Sequence, residues 1–412
     1  MLYDKRSDDR DSSARKWFPS ETSRYGTGEP LSVAGPPKKS RVQFKKNHDH
    51  RPRQTDLTRE DVADLADLST DERVSGKGSL TRQRTVITDD KGALVVDEAG
   101  CVPGRVLWAV GSNHCAVETP VGTIECTVRR LVRDLARDTR NAIAAGDAVL
   151  VRPAASASDG TSGIIERIEP RRSTLSRGQG RHAHLIVANV DQAVIVASST
   201  DPPLKPTLID RFLVSCEAGK VAGIVCINKA DLVDPVPLQP IIGQYSRMGY
   251  RCLLVSARTG QGIPALRLWL KDKTTVFTGQ SGVGKSSLLN AVQEGLALKT
   301  ATVSEDTGKG RHTTRVAELI PLKTGGWVVD TPGIRQLQLW NVTPAEVEGY
   351  FREFGPFVAH CRFPDCTHTH ENGCRVKDAV DGGEISPLRY ESYVRMFLSE
   401  AMDLAALEAE SG

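Results

Sequence analysis

The 412-residue chain carries residue types at spacings that support two kinds of chemistry: nucleotide binding, by several motifs, and metal binding, by one cluster. The first nucleotide motif is Gly279-Gln-Ser-Gly-Val-Gly-Lys-Ser286, which lies between an apolar run over 275–278 and a helical pattern that begins at Lys285. Glycines allow backbone N–H groups to close around a phosphate, and a helix N-terminus favours negative charge there. The pattern therefore predicts a phosphate-binding P-loop. Its predicted contact residues are Gly279, Gln280, Ser281, Gly282, Val283, Gly284, Lys285, Ser286 and Ser287.

Two hydroxyl groups are predicted to ligate the Mg²⁺ that accompanies a bound triphosphate. One belongs to Ser286, and the ammonium of the preceding Lys285 is expected to reach the β- and γ-phosphates. The other comes from the polar, glycine-rich loop 306–315, in which Thr314 is preferred over Thr313. The chain is thus expected to bind a nucleotide together with Mg²⁺.

A third motif, Asp330-Thr-Pro-Gly333, follows an apolar run over 327–329. Asp330 is expected to hold Mg²⁺ through water, and the N–H of Gly333 to contact the γ-phosphate. Many GTPases carry a glutamine directly after this motif, where it positions the attacking water. Here Ile334 occupies that place and cannot form a hydrogen bond, so another group must orient the water.

The base is predicted from Asn228-Lys-Ala-Asp231, which follows an apolar run over 223–227. A carboxylate at Asp231 can accept two hydrogen bonds from guanine N1 and N2, donors that adenine lacks, so an ATPase is disfavoured. Asn228 is expected to organise the loop. The remaining predicted base contacts are Lys229, Ser256 and Ala257.

The order of these motifs is unusual. Ordinary GTPases place the P-loop first, whereas here the base-reading segments at 228–231 and 256–257 precede the P-loop and the motif at 330–333. A circular permutation moves the termini without changing the site. The nucleotide-sensing segment after Gly333 then leads directly into the C-terminal region.

The candidate metal-binding cluster is Cys361-x4-Cys366-x-His368-x5-Cys374. Three thiolates and one imidazole are the ligands of a tetrahedral structural zinc site, and all four positions would be filled by protein. His360 and His370 are competing ligands. The alternative is a cysteine group without metal.

The elements that must position these motifs are of two kinds. From 185 to about 355, buried-looking strands alternate with helical stretches, which indicates a mostly parallel sheet covered by helices. From 100 to 170, short runs of period two indicate a small barrel, for which an OB-fold is one candidate. Arg129 and the arginines after it can contact phosphates, but Asp134 and Asp138 favour an exposed, salt-bridged surface.

The predicted fold class is multidomain: an OB-like β-barrel, a circularly permuted α/β P-loop GTPase domain and a mostly helical zinc-binding domain. A disordered extension precedes them, with a basic run from Lys38 to Arg53 and an acidic, helix-like segment over 59–68. The basic run suits phosphate backbones, and a solvated tail is the alternative. The predicted boundaries are 1–82 for the extension, 83–172 for the barrel, 173–340 for the GTPase domain and 341–412 for the zinc domain.

Composition limits the class of protein. The 54 basic and 51 acidic residues leave a net charge of +3, which excludes a uniformly basic nucleic-acid coat. No apolar run approaches the ~18 residues of a membrane helix, and the N-terminus lacks a signal-peptide core. Of nine cysteines only three cluster, which fits a reducing cytoplasm. A cytoplasmic protein that does not contact membranes is expected.

The permuted motif order, with a barrel before it and the cysteine–histidine cluster after it, resembles the bacterial ribosome small-subunit-dependent GTPase A family. The segments 178–192 and 310–314 are also similar to that family. The resemblance implies a monomeric assembly factor that binds the 30S subunit and its 16S rRNA late in maturation, and that is released when GTP is hydrolysed to GDP. It also implies one structural Zn²⁺, and Mg²⁺ with GTP.

Catalysis is assigned to His312, Lys285 and Thr314. His312 lies close to the predicted Mg²⁺ threonine, and the family is similar at this position, so His312 is the candidate for orienting water. The alternative is that His312 contacts RNA or is solvated. Two other functions stay open: an RNA-binding module in which GTP is mainly a conformational ligand, and a ribosome-independent signalling GTPase.

Overall fold

Four structural units follow one another along the chain: a two-stranded ribbon, a barrel, a sheet covered by helices and a helical C-terminal module. A computed structural model describes them over residues 38–43, 83–88, 96–111, 113–135, 141–154, 162–177, 184–296, 317–330 and 342–411. Within these ranges no helix is long and apolar enough to cross a bilayer.

The ribbon consists of β1 (Lys38–Gln43) and β2 (Gln83–Thr88), which pair antiparallel. β1 lies in the predicted disordered extension, so a strand stands where the sequence analysis expects no regular element. The predicted acidic segment over 59–68 lies outside the described residues.

The barrel is closed by five strands. Their order is β3-β4-β5-β7-β6, and β6 pairs back onto β3. β5 and β7 are parallel and the other pairs antiparallel, which confirms the OB-like barrel. Arg129, just before the short helix α1, donates to the buried Glu166 at 2.5 Å, whereas the side chains of Asp134 and Asp138 lie outside the described residues. The elements are β3 (Val102–Val110), β4 (His114–Thr119), β5 (Gly122–Val128), α1 (Arg130–Leu135), β6 (Ala148–Pro153) and β7 (Ser162–Ile168).

The central sheet has the order β12-β11-β10-β13-β15-β14, in which the first five strands are parallel and β14 is antiparallel. An antiparallel hairpin of β8 (Thr174–Arg177) and β9 (His184–Ala188) precedes it. The strands are β10 (Gln192–Ser198), β11 (Ala222–Asn228), β12 (Arg251–Leu254), β13 (Thr274–Thr278), β14 (Glu318–Pro321) and β15 (Trp327–Asp330). The helices are α2 (Pro206–Ala218), α3 (Gln239–Arg247), α4 (Ile263–Leu270) and α5 (Lys285–Val292).

Helices cover both faces of this sheet. Phe212 and Leu213 of α2 and Tyr245 of α3 pack on one face, while Leu266 of α4 and Leu288 of α5 pack on the other. β10 is therefore buried along its whole length. Burial on both faces explains why its sequence is a continuous apolar run without alternation.

The barrel is joined to the central sheet by strand pairing and by a partly buried arginine. β14 pairs with β3 where Glu318 lies opposite Trp108, so eleven strands form one hydrogen-bonded sheet. Arg105 of β3 donates to the hydroxyl of Thr274 at 2.6 Å and lies 5.8 Å from the centre of the Trp327 ring. Burial lowers the pKa of Arg105 to about 10.

The C-terminal module packs around an aromatic cluster. Phe351 and Phe354 contact Tyr393 with ring centroids 5.4 Å and 4.9 Å apart. Tyr393 of the last helix is buried, whereas Leu398 is 51% exposed and lies off the packed face. The helices are α6 (Pro344–Val347), α7 (Gly355–Val358), α8 (Arg375–Asp381) and α9 (Pro387–Ser411), and 3₁₀ turns span Glu348–Tyr350 and Arg352–Phe354.

Arg389 of α9 fixes this module to α2 through a buried ion network. It lies 2.7 Å from Asp210 of α2 and 2.6 Å from Glu353, and its side chain, like that of Asp210, is 1% exposed. The Tyr245 hydroxyl also donates to Asp210 at 2.8 Å. Burial would lower the pKa of Arg389, but the two carboxylates raise it, so the guanidinium stays charged.

We expect Arg389→Ala to lower the free energy of unfolding by about 3–5 kcal/mol, because it leaves the Asp210 carboxyl group, whose pKa burial already raises, without its ionic partner. Urea denaturation followed by circular dichroism measures the loss. Arg395→Ala, on the same helix, is the control: Arg395 is 67% exposed in its pair with Glu391, and its loss should cost no more than about 1 kcal/mol. Equal losses in both variants would contradict the structural role of Arg389.

Candidate nucleotide site and metal centre

The predicted nucleotide motifs lie at one edge of the sheet. β11, β12, β13 and β15 are parallel neighbours of the central sheet, and a motif begins at the carboxyl end of each. In open sheets of this kind, ligands bind at the carboxyl ends of the strands. Motifs up to about 100 residues apart in sequence are therefore brought to one side of the molecule.

Asn228, in the motif at 228–231, forms hydrogen bonds to the P-loop and to the segment at 256–257. Its Nδ2 donates to the carbonyl of Val283 in the P-loop at 2.9 Å, and its Oδ1 accepts from the N–H of Ala257 at 3.2 Å. The side chain is buried, with 2% exposure. The amide can make both bonds because it carries a donor and an acceptor on the same planar group. Asn228 therefore sets the distance between the base-reading loops and the phosphate loop.

Two P-loop glycines occupy positions that no other residue fits. Gly279 has a φ of 139°, and an added Cβ would lie 2.1 Å from the carbonyl oxygen of Val196. Gly284, the residue before α5, has a φ of 89°, and its Cβ would lie 2.5 Å from Nδ2 of Asn228. The glycine spacing thus follows from close approach to β10 and to Asn228.

Lys285 folds over the P-loop. Its Nζ donates to the carbonyls of Gly279 and Gln280 at 2.7 Å and 2.6 Å. Ser286 and Ser287 follow in the first turn of α5 and are exposed, as are Ser281 and Gly282. The hydroxyl of Ser286 is therefore accessible to a metal ion at the helix N-terminus.

Asp231 presents a mostly buried carboxylate beside this loop. Its side chain is 9% exposed, and its Oδ2 accepts from Nε and Nη2 of Arg258 at 2.8 Å and 2.6 Å. Hydrogen bonds from the Ser256 hydroxyl and from Arg258 lower the pKa of Asp231, so the carboxylate is ionised. An ionised, acceptor-only group is what a purine with two neighbouring N–H donors requires.

Lys229 is held in a left-handed conformation, with a φ of 63°. The Ser199 hydroxyl donates to its carbonyl at 2.7 Å, and its ammonium donates to the carbonyl of Asp201. The loop after β10 thus holds Lys229 of the base-reading motif through two hydrogen bonds.

Some predicted site residues lie outside this description. His312, Thr314 and Gly333 belong to ranges that the structure does not describe, and so does Ile334. Asp330 is the last residue of β15, at the same sheet edge as the other motifs. The roles predicted for all of them stay predictions.

The four predicted metal ligands meet in the C-terminal module. The ligand atoms of Cys361, Cys366, His368 and Cys374 all lie within 4.8 Å of one another. Nδ1 of His368 faces the cluster, 3.3 Å from Sγ of Cys374 and 3.6 Å from Sγ of Cys361. His370, by contrast, is 83% exposed and does not join the cluster.

Residues around the cluster orient its histidine. Nε2 of His368 lies 3.0 Å from a carboxylate oxygen of Glu348, which leaves Nδ1 for a metal. The Tyr390 hydroxyl donates to the carbonyl of His368 at 2.7 Å. Glu371 accepts bonds from Thr367 and from neighbouring N–H groups; although its burial acts in the opposite direction, these bonds lower its pKa to about 2. Three thiols and an oriented imidazole form a donor set that can hold a metal ion.

The sequence analysis missed Glu348 and Arg258. Glu348 lies 20 residues before the histidine that it orients, and no spacing rule connects them. Arg258 directly follows Ser256 and Ala257, so its position next to a base-reading segment was a usable signal.

Comparisons with known proteins agree with this geometry. The family model described as RsgA GTPase matches residues 168–340. A relative from Gemmatimonas aurantiaca is 43% identical over 257 residues, which cover 62% of this chain and 83% of the relative. A relative from Sodalis glossinidius is 40% identical over 295 residues, which cover 70% and 83%. Both carry the name small ribosomal subunit biogenesis GTPase RsgA.

Two solved structures have the same architecture. YjeQ from Thermotoga maritima is 37% identical, with a TM-score of 0.59, and the match covers 73% of this chain and 99% of YjeQ. YloQ, described as a circularly permuted GTPase, is 29% identical with a TM-score of 0.57, over 74% and 96% of the two chains. The permutation predicted from the motif order is confirmed.

Proposed function

The chain belongs to the RsgA family of GTPases and hydrolyses GTP, and we propose that it acts late in the maturation of the small ribosomal subunit. The proposed partners are the 30S subunit and its 16S rRNA. The subunit stimulates hydrolysis, and hydrolysis to GDP drives release. The names of the relatives support this proposal. We further propose that the protein works in the cytoplasm as a monomer.

The observation that carries the proposal is the double hydrogen bond of Asn228. Because its amide ties Val283 to Ala257, the phosphate loop and the base-reading loops are held next to each other, which supports a single site that contains Lys285 and Asp231. A site that combines a phosphate loop with an ionised carboxylate for the base selects guanine nucleotides over adenine nucleotides. The proposed GTP contacts are Asn228, Lys229, Asp231, Ser256, Ala257, residues 279–287, Asp330 and Gly333.

In the proposed reaction, protein residues and a metal ion bind the triphosphate and promote its hydrolysis. The Nζ of Lys285 is proposed to leave the carbonyls of Gly279 and Gln280 and bind the β- and γ-phosphates. Mg²⁺, held by the hydroxyls of Ser286 and Thr314, would neutralise developing charge on the phosphate oxygens. The exposed position of Ser286 fits this role.

The cysteine–histidine cluster is proposed to hold one structural Zn²⁺. Three sulfur ligands and one nitrogen ligand suit this ion, and Glu348 fixes the histidine as zinc sites require. With four protein ligands no position is left for substrate, so the ion would stabilise the fold. We propose the boundaries 1–82, 83–172, 173–340 and 341–412 for the extension, barrel, GTPase and zinc domains.

Release is proposed to follow from the permuted order. The N–H of Gly333 is proposed to contact the γ-phosphate, and the segment of ten residues after Gly333 leads to α6 and thus to the C-terminal module. Loss of the γ-phosphate frees that N–H, and the segment can then move the attached module.

We expect the protein to co-sediment with 30S subunits in the presence of a non-hydrolysable GTP analogue and to be lost from them with GDP. GTP turnover should be slow alone and should rise on the subunits. Sucrose-gradient sedimentation and phosphate release measure the two effects, with 50S subunits as the control. Equal binding with GDP, or stimulation by 50S subunits to the same extent, would reject the proposed timing role.

We expect His312→Ala to reduce subunit-stimulated turnover roughly 100-fold, because no other titratable group is assigned to orient the water. GTP affinity should not change, since His312 is not expected to contact the ground-state nucleotide. Single-turnover hydrolysis on saturating subunits, together with equilibrium binding of a fluorescent GTP, separates the two quantities. Full stimulated turnover in the variant would leave His312 with a role in RNA contact only.

A further inference from the structure

Arg258 binds the carboxylate of Asp231, the group that is proposed to read the base. Both its Nε and its Nη2 donate to a single oxygen, Oδ2 of Asp231, at 2.8 Å and 2.6 Å. Such a charge-assisted pair of bonds fills the acceptor capacity of that oxygen. The Asp231 side chain is 9% exposed, whereas that of Arg258 is 71% exposed.

A guanine base cannot share this carboxylate with the arginine in its observed position. Its N1–H and N2–H₂ groups point in parallel and need one carboxylate oxygen each. Hypoxanthine has the N1–H donor but lacks the 2-amino group, so it needs one oxygen only. Guanine must therefore displace Arg258 from Oδ2, and hypoxanthine does not have to.

We propose that Arg258 is an internal competitor of the guanine 2-amino group, which holds Asp231 in the empty site and weakens guanine nucleotide binding until it is displaced. The proposal rests on the proposed base-reading role of Asp231. Arg258 is thus a positioning residue that acts through Asp231. Its high exposure keeps displacement inexpensive, because the guanidinium regains water when it leaves.

The competition acts equally on GTP and GDP, because it concerns the base and not the phosphates. It also speeds nucleotide release, since Arg258 can take back Oδ2 as the base begins to leave. The effect depends on salt, because an exposed ion pair is screened at high ionic strength.

The test compares the binding of fluorescent mant-GDP and mant-IDP to the full chain. Arg258→Ala should tighten mant-GDP binding by about two- to fivefold at low salt, the range expected for loss of an ion pair whose arginine is exposed, and should leave mant-IDP binding unchanged. The mant-GDP gain should shrink at high salt. Lysine keeps the positive charge but lacks the forked N–H groups of the guanidinium. Arg258→Lys should therefore have a mant-GDP affinity between those of the wild type and the alanine variant.

Two further variants separate the possible failures. Arg395→Ala removes a positive charge from an exposed pair far from the site and should change neither affinity. Asp231→Asn should abolish the preference for mant-GDP over mant-IDP; if it does not, the base-reading role itself is wrong. If Asp231→Asn behaves as expected but Arg258→Ala weakens mant-GDP binding, leaves it unchanged or alters both nucleotides equally, the competition by Arg258 is overturned.

Discussion

Replacing Asp231 with asparagine is expected to weaken GTP binding on the order of 100- to 10,000-fold. The variant loses two hydrogen bonds to an ionised acceptor, and the new amide N–H groups face the N–H donors of guanine. Xanthine carries a carbonyl at C2 in place of the amino group, and that carbonyl can accept from the asparagine. Asp231→Asn should therefore bind XTP more tightly than GTP.

Isothermal titration with GTP, XTP and ATP measures this change. The matched control is Asp234→Asn, three residues further along, because Asp234 is exposed and bonds only to the N–H of Val236 among the contacts described for its side chain. The control should bind GTP like the wild type. Unchanged GTP affinity in Asp231→Asn, or tight ATP binding by the wild type, would show that this carboxylate does not choose the base.

Loss of one metal ligand is expected to unfold the C-terminal module. Structural zinc supplies on the order of 10 kcal/mol to a small domain, and Cys374 is one of the four proposed ligands. Cys374→Ser should retain no stoichiometric zinc and should lose the cooperative unfolding transition of the module. Chelation of the wild type should have the same effect, because it removes the ion from the core of the module. Cys374 is buried there among apolar and aromatic side chains.

Elemental analysis for zinc, combined with urea unfolding monitored by tyrosine and tryptophan fluorescence, tests this expectation. Cys101→Ser is the control, since Cys101 lies at the start of the barrel, away from the cluster. It should keep one zinc ion per chain and full stability. If the wild-type protein contains no zinc and its stability does not change with chelator, the cysteines contribute to packing alone.

Apolar runs allowed the central sheet to be predicted closely. The apolar run 223–227 lies within β11 (Ala222–Asn228), and the run 275–278 lies within β13 (Thr274–Thr278). Motif contexts were equally informative, because the nucleotide motifs at 228–231, 279–286 and 330–333 each follow an apolar run that forms a strand. The strands that were missed include β4 (His114–Thr119), whose apolar run of three residues is too short to mark a strand and whose polar residues do not alternate with apolar ones.

Contacts between distant parts of the chain could not be predicted from sequence. Arg389 lies 179 residues from Asp210, and an arginine in an amphipathic helix is expected to face water. Its burial depends on where α2 and α9 meet, which no local pattern encodes. The same reason applies to Glu348 beside His368 and to Arg258 on Asp231: the residues are ordinary in sequence and are selected by the fold.

The pairing of β14 with the barrel has a consequence for the solubility of shortened forms of this chain. β14 ends the central sheet, and the barrel strand β3 lies on its outer side where Glu318 meets Trp108. A fragment that begins after the barrel would leave this side of β14 with unpaired N–H and C=O groups, which recruit strands from other molecules. The barrel thus also protects the chain against edge-to-edge aggregation.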